Sequence, residues 1–359
     1  MQRRSMLLGA LGALAASGAA PAVAAAGEVL ERPARASALA GARLITGIAR
    51  AGNRLVAVGQ RGHVVLSDDG GQRWTQATVP VSSDLTAVRF VDAQVGYATG
   101  HDGVVLGTRD GGLHWSRVLD GRQANALALD RMQRRAAAPQ ASEEDRRLLA
   151  EAQRNAEAGP DKPFLDVWFA DADQGFVVGA YGLVLRTADG GKTWASWFDR
   201  VDNAGLLNLY AIHAAGGALY IAGESGLLLK LDPEAGRFRA LASPYKGSLF
   251  GLAATQAGLL AFGMRGHAFL SMDEGASWAA VKTGLGASIV ASAVGADGTL
   301  ALVDQGGGIA ISGDGGRNFA VPALQSQLPL AAVAFSGNTA LVLGGPRGLR
   351  SIELISKDK

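Results

Sequence analysis

The sequence has no cysteine, so no disulfide can form and no thiolate can ligate a metal. Charge is sparse, with Asp, Glu, Lys and Arg making up 18% of the chain. The nominal net charge of +2 includes Arg3 and Arg4, and without them 32 basic residues face 32 acidic ones. That balance removes an electrostatic case for binding nucleic acid or anionic lipid. After the first turns of chain no apolar run approaches the roughly 20 residues a transmembrane helix needs. No Ser-His-Asp grouping, His-x-x-x-His pair or phosphate-cradling glycine loop occurs, so no catalytic residue, cofactor or metal is assigned.

What is abundant is glycine, 50 residues, beside an apolar fraction of 48%. This combination implies many short buried strands joined by tight turns. Residues 1–26 read as an export signal: Arg3 and Arg4, an apolar stretch from Met6 to Ala16, and small residues ending in Ala22-Val23-Ala24 or Ala24-Ala25-Ala26. Twin arginines before Ser5-Met6-Leu7-Leu8 fit a twin-arginine signal, and a general secretory signal fits as well. Either route places the mature chain, residues 27–359, in the periplasm or outside the cell.

Aligned on itself, the sequence shows seven similar openings at Leu44, Leu85, Leu165, Leu209, Leu249, Ile289 and Leu330, spaced by 41, 80, 44, 40, 40 and 41 residues. The doubled spacing holds an insertion at 122–163. Each unit predicts a first strand, a second strand ending near a Gly-x-x-Gly turn, a third strand, an acidic turn and a fourth strand opened by an aromatic. That is one four-stranded antiparallel blade, so the expected fold is an all-β, seven-bladed β-propeller. The last unit stops after its third strand, and residues 28–35 are placed to supply a fourth strand and close the ring.

The acidic turn follows the Asp-box pattern Ser/Thr-x-Asp-x-Gly-x-Thr-Trp. It occurs around Asp69 and Trp74, Asp110 and Trp115, Asp189 and Trp194, Asp273 and Trp278, and Asp314 and Phe319. The fourth unit degenerates to Asp232, Gly236 and Phe238. One carboxylate per turn suits a structural cap that accepts backbone N–H groups, whereas calcium requires six or more oxygens. The insertion predicts two helices, 123–138 and 143–158, with Ser142 and Asp145 forming a capping box. Leu127, Met132, Leu148 and Leu149 form an apolar stripe beside Arg131, Arg134, Arg135, Arg146 and Arg147, as a partner grip, a lid or a rim decoration.

The Asp boxes, the Gly-x-x-Gly turns and the export signal together resemble the photosystem II stability and assembly-factor-like family, within the bacterial-neuraminidase-type repeat propellers. The resemblance spans roughly residues 28–359, with 122–163 as a departure. It implies a non-enzymatic, monomeric protein that binds a protein client, a membrane protein or envelope complex, through one propeller face. The Asp box also occurs in sialidases, so a carbohydrate-binding or glycosidase propeller is the alternative. Against it, the chain lacks the Arg-Ile-Pro type signature of those enzymes. Tyr97, Tyr181, Tyr210, Tyr220 and Tyr245 also carry no Glu or Arg grouping that would make one a nucleophile.

Antiparallel neighbours put the turns between second and third strands on the same face as the links between blades. Those turns present Arg61, His101, Asp102, Tyr181, Glu224, Arg265 and Arg347 as partner-binding residues. The family resemblance implies an arginine patch on this face, which Arg61, Arg265 and Arg347 match by turn position.

Overall fold

The computed structural model describes residues 27–322, 326 and 328–354. The expected export signal over residues 1–26 lies outside the described residues. Seven antiparallel sheets follow one another in chain order, each built from one contiguous stretch of sequence. Blade 1 is Ile45–Ala51, Arg54–Gly59, Val64–Ser67 and Thr75–Gln76, and blade 2 is Leu85–Phe90, Gly96–Gly100, Val105–Thr108 and Ser116–Leu119. The innermost strands touch around a closed ring, blade 7 (Ala332–Ser336, Ala340–Gly344, Arg350–Glu353) meeting blade 1.

Second and third strands sit inside the blade stack and are buried on both faces, which is why Val56, Ala57 and Val58, or Val177 and Val178, read as continuous apolar runs. Neighbouring blades share cores. Val56, Val58 and Leu66 of blade 1 pack on Val88, Ala98, Leu106 and Trp115 of blade 2. Blade 4, which lacks the tryptophan, buries Phe238 completely and sets it edge-on to Phe176 at 5.6 Å.

Among the described residues, blades 1 to 5 have four strands and blades 6 and 7 have three. In blade 6 the expected fourth strand shrinks to a single bridge between Ile311 and Ala320. Pro322, two residues on, has no N–H to continue a ladder. No strand over 28–35 pairs with blade 7. Residues Gly27–Glu31 form a short helix, α1, whose Leu30 is buried in the core between blades 1 and 2. Glu31 is paired with Arg117 and Arg122, and the Leu30 carbonyl accepts from Arg117 at 2.6 Å.

The chain then follows the outer strand of blade 1, where Ala34 N–H donates to Val79 O. It reaches the seam at Ala40–Ala42. There Leu349 N–H donates to Gly41 O at 2.9 Å and Ile45 N–H to Gly345 O at 3.1 Å. The ring is therefore closed by packing and two backbone bonds rather than by a shared strand.

Helices α2 (Gly121–Ala136) and α3 (Glu143–Ala158) occupy the insertion. Asp120 caps α2 in a capping box with Gln123, and Ser142 caps α3 with Asp145. The apolar stripe is used internally: Met132, Leu148 and Ala152 pack on Phe198, with Leu129, Leu149 and Leu206 around them. Leu127 joins the core between blades 2 and 3. Arg131 and Arg135 both bind the buried carboxylate of Asp199. The hairpin is thus fastened to the segment leading from blade 3 to blade 4, and its apolar stripe is not available as a grip.

Candidate protein-binding face

The first glycine of each Gly-x-x-Gly turn ends a second strand against the start of its own blade. A Cβ on Gly59, Gly100, Gly179, Gly223 or Gly263 would lie 2.0, 2.4, 2.3, 2.5 or 2.2 Å from the carbonyl oxygen that precedes or begins the inner strand, so only glycine fits. That packing pins each turn beside an inter-blade link, which puts both on one face. Gln60 N–H donates to Leu44 O, His101 to Asp84 O and Glu224 to Asn208 O.

The residue after next is left-handed in five successive blades: Arg61, Asp102, Tyr181, Ser225 and Arg265, with φ between 54° and 58°. A side chain in that conformation costs on the order of 1 kcal/mol or more at each position. Side chains of the following link hold it there in four blades. Arg61 N–H donates to Asp84 Oδ1 at 2.6 Å, Tyr181 N–H to Asn208 Oδ1 at 3.0 Å, and Ser225 and Arg265 N–H to Ser248 and Ser288 at 3.4 Å. The consequence is a set of turn residues on one face, of which Arg61, Tyr181, Ser225 and Arg265 are exposed.

Arg61, Arg265 and Arg347 are exposed, without an ion-pair partner among the described residues. Tyr181 is 52% exposed, with the Lys162 ammonium 5.4 Å from its ring centre. His101 is exposed, whereas Asp102 lies against the start of α2, and burial pushes its carboxyl above the usual range. Glu224 is committed to the fold: its carboxylate accepts from the N–H and side-chain amide of Asn208 at 3.1 and 3.0 Å. Arg61 and Arg347 stand on neighbouring blades, while Arg265 is separated from them by blade 6.

Two further arginines join this sector. Arg43 follows the seam turn, in which Gly348, next to Arg347, lies against Ala42. Burial holds the His63 imidazole below its usual pKa, and the charges of Arg61 and Arg43 lower it further. Arg35 is exposed on the same segment, its backbone accepting from Gln76. Arg43 sits in a link position, and the links were the legible signal, since they share the face with the turns.

The acidic turns occupy the opposite face. Asp69 Oδ1 accepts from Ser67 Oγ at 2.9 Å and from the N–H groups of Gln72 and Arg73 at 3.1 and 2.9 Å. Asp110, Asp189, Asp273 and Asp314 repeat the hydroxyl bond at 2.8–2.9 Å. Trp74 and Trp115 Nε1–H donate to Gly71 and Gly112 carbonyls within the same turns. The Trp194 and Trp278 Nε1–H groups have no such partner among the described residues. Phe319 is partly buried in the core between blades 5 and 6. Side-chain bonds from Ser277 hold Asp273 down to about 2, and the Asn318 N–H holds Asp314 down to about 2. These carboxylates are satisfied within their own turns.

A closed ring of seven small sheets, with structural turns on one face and varied side chains in the turns of the other, defines a β-propeller. Residues 150–321 match the family described as Photosynthesis system II assembly factor YCF48.

In fold it is similar to YCF48 bound to a D1 peptide, at 16% identity and TM-score 0.62, covering 88% of this chain and 95% of that one. It is similar also to YCF48 from Cyanidioschyzon merolae, at 17% identity and TM-score 0.61 over 90% and 98% of the two chains. The WD40 propeller domain of Doa1 matches at 12% identity and TM-score 0.60 over 92% and 97%. No curated protein matches the sequence.

Proposed function

We propose that this protein is a non-catalytic assembly-factor-like propeller that binds an acidic segment of a protein client through the face carrying Arg43, Arg61, Arg265 and Arg347. The observation that carries the reading is the set of exposed arginines on that face, Arg61 and Arg265 of them held in left-handed turns, left without carboxylate partners among the described residues. An unneutralised cluster of this kind favours an acidic partner, and bidentate arginine contacts supply orientation as well as affinity. The similar structure of YCF48 with a D1 peptide supports a protein as the partner. The client is a membrane protein or envelope complex, met by an exported, monomeric protein in the periplasm or outside the cell.

The test is capture from detergent-solubilised native membranes with the wild-type chain and with R61A/R265A/R347A, read by mass spectrometry. A membrane protein recovered with the wild type alone, while both chains melt at the same temperature, supports the reading. Equal recovery by both removes the arginines from the interaction. Absence of any reproducible client, with binding on a glycan array instead, replaces the reading with the carbohydrate alternative.

A further inference from the structure

In six blades the inner strand begins with a β-bulge, and the bulge always falls on the same residue. Gly59 and Val58 pair with Ile45 and Gly47, skipping Thr46; Gly100 and Thr99 pair with Leu85 and Ala87, skipping Thr86. Leu165, Tyr210, Phe250 and Val290 are skipped in blades 3 to 6 in the same way. A bulge releases a residue from the ladder and re-aims its side chain. All six line the central channel. They stand at strand starts, next to the inter-blade links, and therefore ring the channel mouth on the candidate binding face.

The ring is divided. In blades 1 and 2 the bulged residue is threonine, and its hydroxyl is consumed by the next blade: Thr46 Oγ1 donates to Leu85 O and Thr86 Oγ1 to Phe164 O, both at 2.7 Å. In blades 3 to 6 it is an apolar or aromatic residue left partly exposed, and Tyr210 and Phe250 meet edge to face at 5.2 Å. Beneath this arc the channel wall is polar. The carboxylate of Asp166 accepts from Val167 and Ile212 N–H at 2.9 and 3.0 Å and faces Arg89 at 3.5 Å. The arginine-rich sector of blades 7 and 1 lies across the mouth from this apolar arc.

We infer that the apolar arc of Leu165, Tyr210, Phe250 and Val290 is a specificity pocket for one apolar side chain of a protein segment whose carboxylates are held across the mouth by Arg43, Arg61 and Arg347. The inference rests on the function proposed above and narrows it: the partner is a segment with acidic residues followed or preceded by a large apolar residue. Charge complementarity fixes one half of the occupant. The apolar arc above a polar wall fixes the other, offering contact to one apolar side chain at the mouth.

The test measures fluorescence anisotropy of three labelled synthetic peptides with the purified full chain. One carries acidic residues in a Gly/Ser background, one carries a single Leu or Phe in that background, and one carries both. The expected result is at least tenfold tighter binding of the combined peptide than of either other. F250S and Y210S should abolish that advantage while leaving the acidic peptide unchanged, and F250L, which keeps the pocket apolar, should retain it. R61A/R347A should weaken both acidic peptides.

Equal affinity for the acidic and combined peptides overturns the pocket, as does an unchanged combined peptide in F250S and Y210S. Binding of none of the three overturns it too. The membrane capture separates the two readings: a client lost by R61A/R265A/R347A but kept by F250S leaves the arginine face standing and removes the pocket alone.

Discussion

The backbone N–H of Arg61 donates to the Asp84 carboxylate at 2.6 Å, across the boundary from the turn of blade 1 to the link that begins blade 2. The bond holds a non-glycine residue at φ 57° and fixes where its guanidinium projects. Two consequences with opposite signs follow. D84A removes the acceptor and should lower stability by about 1–2 kcal/mol, read as a fall in the urea midpoint, together with weaker client capture; D84N, which keeps an acceptor oxygen, should retain most of both. R61G should leave the midpoint unchanged or raise it by up to about 1 kcal/mol, since glycine relieves the left-handed strain, yet lose client binding. A variant that gains stability while losing recognition would show that the strain serves the face.

Acid should loosen the opposite face first. Asp273 and Asp314 are held down to about 2 by bonds from Ser277 and Asn318, from an ordinary carboxylate value of 3.8. Because the folded value lies below the unfolded one, this stabilisation is complete above about 4 and is lost as the pH falls toward 2. Thermal midpoints measured between pH 5 and pH 2 should drop within that window, and D273N/D314N should flatten the drop.

The insertion should come loose when its anchor is cut. Asp199 is buried, with 4% of its side chain exposed, and binds Arg131 and Arg135, which are themselves partly solvated. D199A should cost roughly 2 kcal/mol, less than a fully buried pair because the arginines can turn to water. The loss should concentrate in faster hydrogen exchange across residues 121–158, with the inner strands of the propeller little changed.

Phe238 does in blade 4 what tryptophan does in the blades with complete acidic turns. It is fully buried and packs edge-on to Phe176 and Trp197. F238A should cost about 3–5 kcal/mol, measured by chemical denaturation, and F238W should cost more than F238L because the closed site has no room for a second ring.

Much of the architecture was legible because repetition multiplies weak signals. The spacing of Leu85, Leu209 and Leu249 and the recurrence of Asp69, Asp110 and Asp189 place the strands and turns without any single decisive residue. The ends were not legible. Val29 and Leu30 look like the start of an edge strand, but burying Leu30 between blades 1 and 2 and pairing Glu31 with Arg122 outcompete a ladder that Pro33 could not complete.

The face was half legible. Turn position brings out Arg61, Arg265 and Arg347, yet says nothing of Glu224 being tied to Asn208 or Asp102 being covered by α2. Arg43 escaped because the reading followed the turns and not the links beside them. The bulged residues escaped for a different reason: one skipped pairing changes which way a side chain points without changing the hydrophobic pattern that a sequence displays.

The two backbone bonds at the seam, from Ile45 to Gly345 and from Leu349 to Gly41, join sheets that each come from a single uninterrupted stretch. No sheet waits for the far end of the chain before it can form. A nascent propeller of this kind can complete blade after blade in order of synthesis, and its old ends could be linked and new ones opened between any two blades without dividing a sheet. Circular permutation would therefore move the termini from link to link on the candidate binding face while every sheet stays whole.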